Sequence, residues 1–194
     1  MPLPGAAATC GAMPPKSDLP IEDVIPQILS ALREHTRLVI SAPPGAGKTT
    51  RVPLALLDEA WPAGRRLILV EPRRIAARAA AERMAATLGE KVSQTIGLRS
   101  RLDVRTSKES RIEVVTEGVF SRMILSDPSL EGVAAVLFDE FHERSLDADE
   151  HHGLEADLAV LDLGDVGELG RKALDATKRR AVLKVARAGG VLVV

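Results

Sequence analysis

Leu38-Val39-Ile40-Ser41-Ala42-Pro43-Pro44-Gly45-Ala46-Gly47-Lys48-Thr49-Thr50 decides the fold. An apolar run, Leu38-Val39-Ile40, has the length of a short buried strand; a turn rich in Gly and Pro follows, and a helix is expected over residues 49–60. Glycines let a backbone wrap closely round phosphate groups with its N–H groups inward. In that setting Lys48 neutralises β- and γ-phosphate oxygens, and the Thr49 hydroxyl can hold Mg²⁺. The pattern G-x-x-x-x-G-K-[ST] is met at every position but the first, where Ala42 replaces glycine. Ala42, Gly45, Ala46, Gly47, Lys48, Thr49 and Thr50 are therefore the expected nucleotide site. The competing reading is an ordinary Gly-rich turn, and the strand before it and helix after it argue against that.

Outward from this loop, the chain alternates strand and helix signals. Upstream, Ile21, Val24, Ile25, Ile28, Leu29 and Leu32 recur at helical spacing, with Asp23 as the expected cap and Pro26 in the first turn. Downstream come a strand at Leu67-Ile68-Leu69-Val70 and a helix over residues 73–88 closed by Gly89. A strand over 112–115, a helix over 118–125 and the uninterrupted apolar run 133–138 complete the pattern. Strands apolar on both faces, alternating with helices, predict an α/β fold: a doubly wound parallel sheet covered on both sides.

The last of these runs stops at Asp139-Glu140-Phe141-His142, 91 residues after Lys48. A carboxylate at the C-terminal edge of a strand can reach the Mg²⁺ of a nucleotide held by a neighbouring strand's loop, and the next can orient an attacking water. Asp139 suits the metal and Glu140 the water. An acidic pair after a strand is also a common turn, and it is the phosphate loop upstream that favours the chemical reading.

Composition bounds the rest. The chain has 194 residues, 45% hydrophobic and 27% charged, which suits one soluble domain with a real core. The net charge of −1 hides an asymmetry: residues 65–111 hold twelve Lys/Arg against five Asp/Glu, and residues 127–170 hold thirteen Asp/Glu against one Arg. One surface for anions and one for cations would explain this; so would solvated helix faces. Cys10 is the only cysteine, so there is no internal disulfide and no Cys-based zinc cluster. Nothing in the sequence reads as a signal peptide or membrane span, and a cytoplasmic protein with a disordered tail over residues 1–16 is expected. Trp61, Phe120, Phe138 and Phe141 are the only aromatics, too few for modules that read bases by stacking. His142-Glu143 lacks the second His of a zincin, and the 147–152 stretch has His where a Ca²⁺ loop needs a ligand and Gly. His151 and His152 read as solvated surface, and no metal cluster is expected.

Taken together, A-x-x-G-x-G-K-T and Asp139-Glu140-Phe141-His142-Glu143-Arg144-Ser145 resemble the DEAH-box helicases of superfamily 2. Glu71-Pro72-Arg73-Arg74-Ile75-Ala76-Ala77-Arg78 and Thr116-Glu117-Gly118-Val119-Phe120 resemble that family's motifs Ia and Ib, and the set is most similar to the bacterial HrpB-type ATP-dependent RNA helicases. The resemblance covers residues 19–149. It implies a RecA-like P-loop lobe that binds ATP with Mg²⁺ and hydrolyses it under control of nucleic acid, with single-stranded RNA favoured. It implies further that Asp139 positions the ion, Glu140 activates water, and His142 links the nucleotide state to a second lobe. Arg73, Arg74, Thr116, Glu117 and Gly118 are implied to contact the nucleic-acid backbone. Gly97-Leu98-Arg99-Ser100-Arg101-Leu102-Asp103 resembles G-Y-x-x-R-F-E with leucines for the aromatics, which adds Arg101. Physical reasoning meets this at Arg73 and Arg74: basic residues opening a helix oppose its dipole, and a bound phosphate would compensate. A solvated pair is the other reading, as a plain N-cap is for Thr116.

The pattern breaks after Asp149. The sequence contains no S-A-T motif and no Q-x-x-G-R-x-G-R, the second-lobe motif whose arginines reach the γ-phosphate and are worth about 10³–10⁵ in turnover. The expected organisation is a tail over 1–16, a RecA-like ATP-binding lobe over 17–150 and a divergent or truncated segment over 151–194. The second lobe is absent from this chain, which is expected to bind nucleotide and hydrolyse it poorly. The terminal apolar run 191–194 is read as the first strand of that lobe. Two alternatives stay open: a nucleotide-binding module without catalysis, and a small P-loop kinase with lid arginines among residues 171–187.

Overall fold

The central strands carry apolar side chains at consecutive positions, and because successive side chains point to opposite faces, both faces must be covered. The computed structural model, which describes residues 17–35, 37–62, 64–127, 129–139, 158–162 and 191–193, shows how. Eight strands form one sheet: β1 (Arg37–Ser41), β2 (Arg66–Glu71), β3 (Ile96–Arg99), β4 (Val104–Arg105), β5 (Ile112–Thr116), β6 (Val133–Phe138), β7 (Leu158–Asp162) and β8 (Val191–Val193). Their spatial order is β4-β3-β5-β2-β6-β8-β1-β7, parallel throughout except for the antiparallel β3–β4 pair. Four helices are described, α1 (Ile25–Glu34), α2 (Lys48–Leu56), α3 (Arg74–Thr87) and α4 (Glu117–Ser126), with a 3₁₀ turn at Pro20–Asp23 before the first.

Leu67 and Leu69 of β2 pack with Leu38, Ile40, Ile112 and Val114 against α1, α2 and α3. Ile68 and Val70, the alternate residues, pack with Val115, Val136 and Phe138 against α4, where Phe120 meets Phe138 edge-on at 5.4 Å. Leu67, Ile68 and Leu69 are all fully buried. Each such side chain contributes roughly 1.5–3 kcal/mol by leaving water. A register shift at Arg66/Leu67 lets Ala134 of β6 join the first face instead of the second. The doubly covered parallel sheet is thus the architecture expected from the strand pattern.

Several boundaries differ from expectation. The start of the first helix is a 3₁₀ turn over Pro20–Asp23, and Val24, not Asp23, stands at the N-cap of α1, without a side-chain cap. Helix α2 ends at Leu56 rather than near residue 60: Leu57 N–H bonds back to Leu54 O and Glu59 N–H to Leu56 O, so the last turn tightens and stops. Gly89 closes α3 as expected. At φ +70° it donates to Ala86 O, while Glu90 N–H reaches Ala85 O, the paired bonds of a Schellman end. The reading of 191–194 as a strand of another lobe is overturned. Val191–Val193 lies between β6 and β1 in this same sheet, parallel to both. No described helix is long and apolar enough to cross a membrane.

Candidate functional site

Parallel strands put all their C-terminal ends on one edge, and that edge collects the candidate residues. Along it stand Arg101 beyond β3, Thr116 ending β5, Arg73 beyond β2, Asp139 beyond β6 and the 42–47 loop beyond β1. The register fixes their levels: Glu71 pairs with Thr116, Val70 with Phe138, and Arg99 with Val115.

The loop has two left-handed glycines, Gly45 at φ +80° and Gly47 at φ +97°, a conformation that side-chain-bearing residues rarely adopt. Gly47 is the N-cap of α2 and takes the N–H of Arg51 on its carbonyl at 2.8 Å. Lys48 folds over its own loop: Nζ donates to Ala42 O at 2.7 Å and to Pro43 O at 3.4 Å. Ala46 is buried, and Thr49 and Thr50 occupy the first turn of the helix. The Thr49 hydroxyl donates to Asp139 Oδ2 at 2.5 Å. Asp139 N–H in turn donates to Val70 O at 3.1 Å, so the end of β2 anchors the backbone that carries the carboxylate. A hydroxyl and a carboxylate, both hard oxygen donors, are what a small dication with retained waters takes. Among the described residues no group of three or more His, Cys, Asp or Glu forms a metal site. Glu140 and His142 lie outside the described residues.

On the other half of the edge, Arg73 sits in extended conformation at the N-cap of α3 and Arg74 begins the helix, both exposed. Arg101 is exposed in the turn between β3 and β4. Asp103 pins that turn, accepting from Arg105 at 3.0 and 2.8 Å and from Arg78 at 2.8 Å. The Arg105 hydrogen bonds hold its carboxyl below the ordinary range against the opposing effect of burial. Thr116 stands at the N-cap of α4, but its side chain makes no cap bond and is buried, so capping does not explain it. Glu117 and Gly118 are exposed in the first turn.

Sequence reasoning missed what lies behind the loop. Glu22 and Arg51 form a buried ion pair, and Ile21 N–H donates to Ala46 O at 3.1 Å. No local pattern announces a pair 29 residues apart. It missed β4 as well, which at two residues is too short to show alternation.

Three comparisons bear on this edge. The sequence profile of the DEAD/DEAH box helicases matches residues 22–166. Over 153 residues the chain is 47% identical to the ATP-dependent RNA helicase HrpB of Escherichia coli, a match covering 75% of this chain and 19% of that protein. It is 38% identical over 136 residues to the human ATP-dependent RNA helicase DHX30, covering 68% of this chain and 11% of that one. Crystal structures of E. coli HrpB superpose with TM-scores of 0.64 and 0.65 at 36% and 40% identity, covering 91% and 92% of this chain and 22% of theirs. The chain thus spans about a fifth of the length of the HrpB proteins it matches.

Proposed function

Because the chain belongs to the DEAD/DEAH box helicase family, we propose that it is the ATP-binding lobe of an RNA helicase of the HrpB kind, binding ATP with Mg²⁺ and coupling its hydrolysis to single-stranded RNA. The observation that carries this reading is the Thr49–Asp139 hydrogen bond, which joins the phosphate loop to the end of a strand 90 residues away. Residues 17–150 are assigned to the lobe, 1–16 to a tail and 151–194 to a divergent segment that lends strands β7 and β8 to the sheet. The setting proposed is the cytoplasm.

The loop amides and Lys48 receive the phosphates. Lys48 Nζ exchanges the neutral carbonyls of Ala42 and Pro43 for anionic oxygens, a stronger charge-assisted bond. Gly45, Ala46, Gly47, Thr49 and Thr50 contribute backbone around them. Thr49 and Asp139 would hold magnesium, which supplies neutralisation of the β/γ charge when bound. Glu140 is assigned the proton of the water that attacks the γ-phosphorus as the bond to the β–γ bridging oxygen breaks, and His142 the link to the second lobe. Arg73, Arg74, Arg101, Thr116, Glu117 and Gly118 are assigned to the nucleic-acid backbone. Exposed guanidinium groups at a helix start offer phosphate both charge and free N–H groups.

A nucleotide-binding module without catalysis would use the same loop and the same Thr49–Asp139 pair. Steady-state ATP turnover with and without single-stranded RNA, at low salt with Mg²⁺, decides between them. Expected are ATP binding and slow turnover that RNA raises and Glu140→Gln abolishes. Binding without any turnover selects the non-catalytic module, and failure to bind ATP overturns the site itself.

A further inference from the structure

We propose that residues 17–23 brace the phosphate loop from behind, and that Glu22, acting through Arg51, is a positioning residue that sets the affinity of the loop for nucleotide phosphates. This rests on reading residues 42–50 as the nucleotide site.

Three contacts tie residues 17–23 to the loop and to the helix that follows it. Ile21 N–H donates to Ala46 O at 3.1 Å, tying the brace to the loop backbone. Leu19 and Ile21 press on Gly47: a Cβ there would stand 2.8 Å from Leu19 Cδ1 and 3.1 Å from Ile21 Cγ2, whereas a Cβ on Gly45 would meet nothing within 4 Å. The loop therefore has one open wall at Gly45 and one backed wall at Gly47. Finally, Glu22 accepts from Arg51 Nε and from Ser17 Oγ, the latter at 2.8 Å, with the Arg51 and Glu22 side chains 7% and 9% exposed. Arg51 N–H donates to Gly47 O, so the residue paired with the brace also grips the left-handed glycine.

A buried ion pair is a poor way to add stability, since desolvation offsets much of the attraction. What it supplies is a fixed geometry. Phosphate binding needs several N–H groups converged before the ligand arrives, and any ordering left to the moment of binding is subtracted from affinity. A brace that holds Ala46 and Gly47 keeps those groups converged in the empty loop.

The test uses the whole 194-residue chain and calorimetric affinities for ATP and for inorganic pyrophosphate, both with Mg²⁺. Glu22→Gln should weaken both ligands by the same factor, about tenfold. Amide exchange should quicken in the loop while β2 and β6 stay protected. Leu19→Ala, at a partly exposed position that leaves the ion pair intact, should weaken both ligands in the same direction and serves if Glu22→Gln does not fold. Unchanged affinity in a folded variant overturns the brace. Weakened ATP with unchanged pyrophosphate also overturns it, because the segment would then act on base or ribose. Absence of ATP and pyrophosphate binding by the unmodified chain overturns the nucleotide reading and the brace with it, a failure recognisable before any variant is made.

Discussion

Arg66 Nη1 donates to Glu113 Oε1 at 2.7 Å, from the rim of the sheet to a carboxylate that is 1% exposed within β5. Arg99 Nη2 stands 3.3 Å from the other oxygen, which makes no hydrogen bond of its own. The burden is unequal, because the carboxylate is buried and the two arginines are 40% and 36% exposed. Replacing both arginines by alanine should cost about 3–5 kcal/mol by leaving a buried charge unpaired. Glu113→Gln should cost only about 1 kcal/mol, since water can take up the arginines. Urea midpoints of the two variants check the order.

Thr49→Val removes the hydroxyl, and Asp139→Asn the carboxylate charge, of the two oxygen groups that meet beside the loop. ATP affinity measured against Mg²⁺ concentration should lose most of its magnesium dependence in both, with the Mg²⁺-independent part retained. Lys48→Ala should weaken ATP by about a hundredfold or more, since a charge-assisted contact to two phosphates goes with it. Tight ATP binding by that variant would contradict the loop assignment.

Acid should loosen the brace. Burial raises the Glu22 carboxyl, but the Arg51 and Ser17 hydrogen bonds and the Arg51 charge outweigh it and hold the group below its ordinary 4.5. A carboxyl depressed in the folded state stabilises above its unfolded value, and that stability is lost as pH falls through the folded one. Asp103 under Arg105, and Asp127 under Ser129 and the Glu131 N–H, are depressed from 3.8 and act in the same sense. Thermal midpoints should be flat from pH 7 to about 5 and fall below it, and Glu22→Gln should flatten the fall.

If Arg73 and Arg74 each neutralise one phosphate, binding to single-stranded RNA follows salt accordingly. The slope of log affinity against log salt should lessen by about 0.7 per contact, or about 1.4 for the double alanine variant. The loss should be the same for unrelated RNA sequences, because a backbone contact carries no base information. Fluorescence anisotropy at several salt concentrations measures both.

The parts of this molecule that show in its sequence are those carried by local repetition. Consecutive apolar residues at 67–70 and 133–138 announce strands buried on both faces, and Gly45 and Gly47 before Lys48 announce a loop with left-handed turns. Asp139 is legible because it ends such a strand, and Arg73 and Arg74 because they open a helix against its dipole. What stays hidden depends on distant partners. Glu113 reads as a polar break in Ile112-Glu113-Val114-Val115 until Arg66 and Arg99 are seen beside it. Glu22 reads as an ordinary helix-start acid until Arg51 arrives from the far side of the loop. The terminal valines declare a strand but not which sheet takes it.

The place that sheet gives them has a consequence for the order of events as the chain is made. Strand β8 pairs residues 191–193 with 37–39 on one side and with 136–138 on the other. Neighbouring strands lie about 4.8 Å apart, so β1 and β6 stand roughly twice that distance from each other with β8 as the spacer. The loop rides on β1 and Asp139 on β6. Their separation is therefore set by a piece of chain that leaves the ribosome well over a hundred residues after the loop itself. Contacts of such long range close slowly. The phosphate loop can form early, but its companion carboxylate comes to its final distance only after the C-terminal strand has threaded between them.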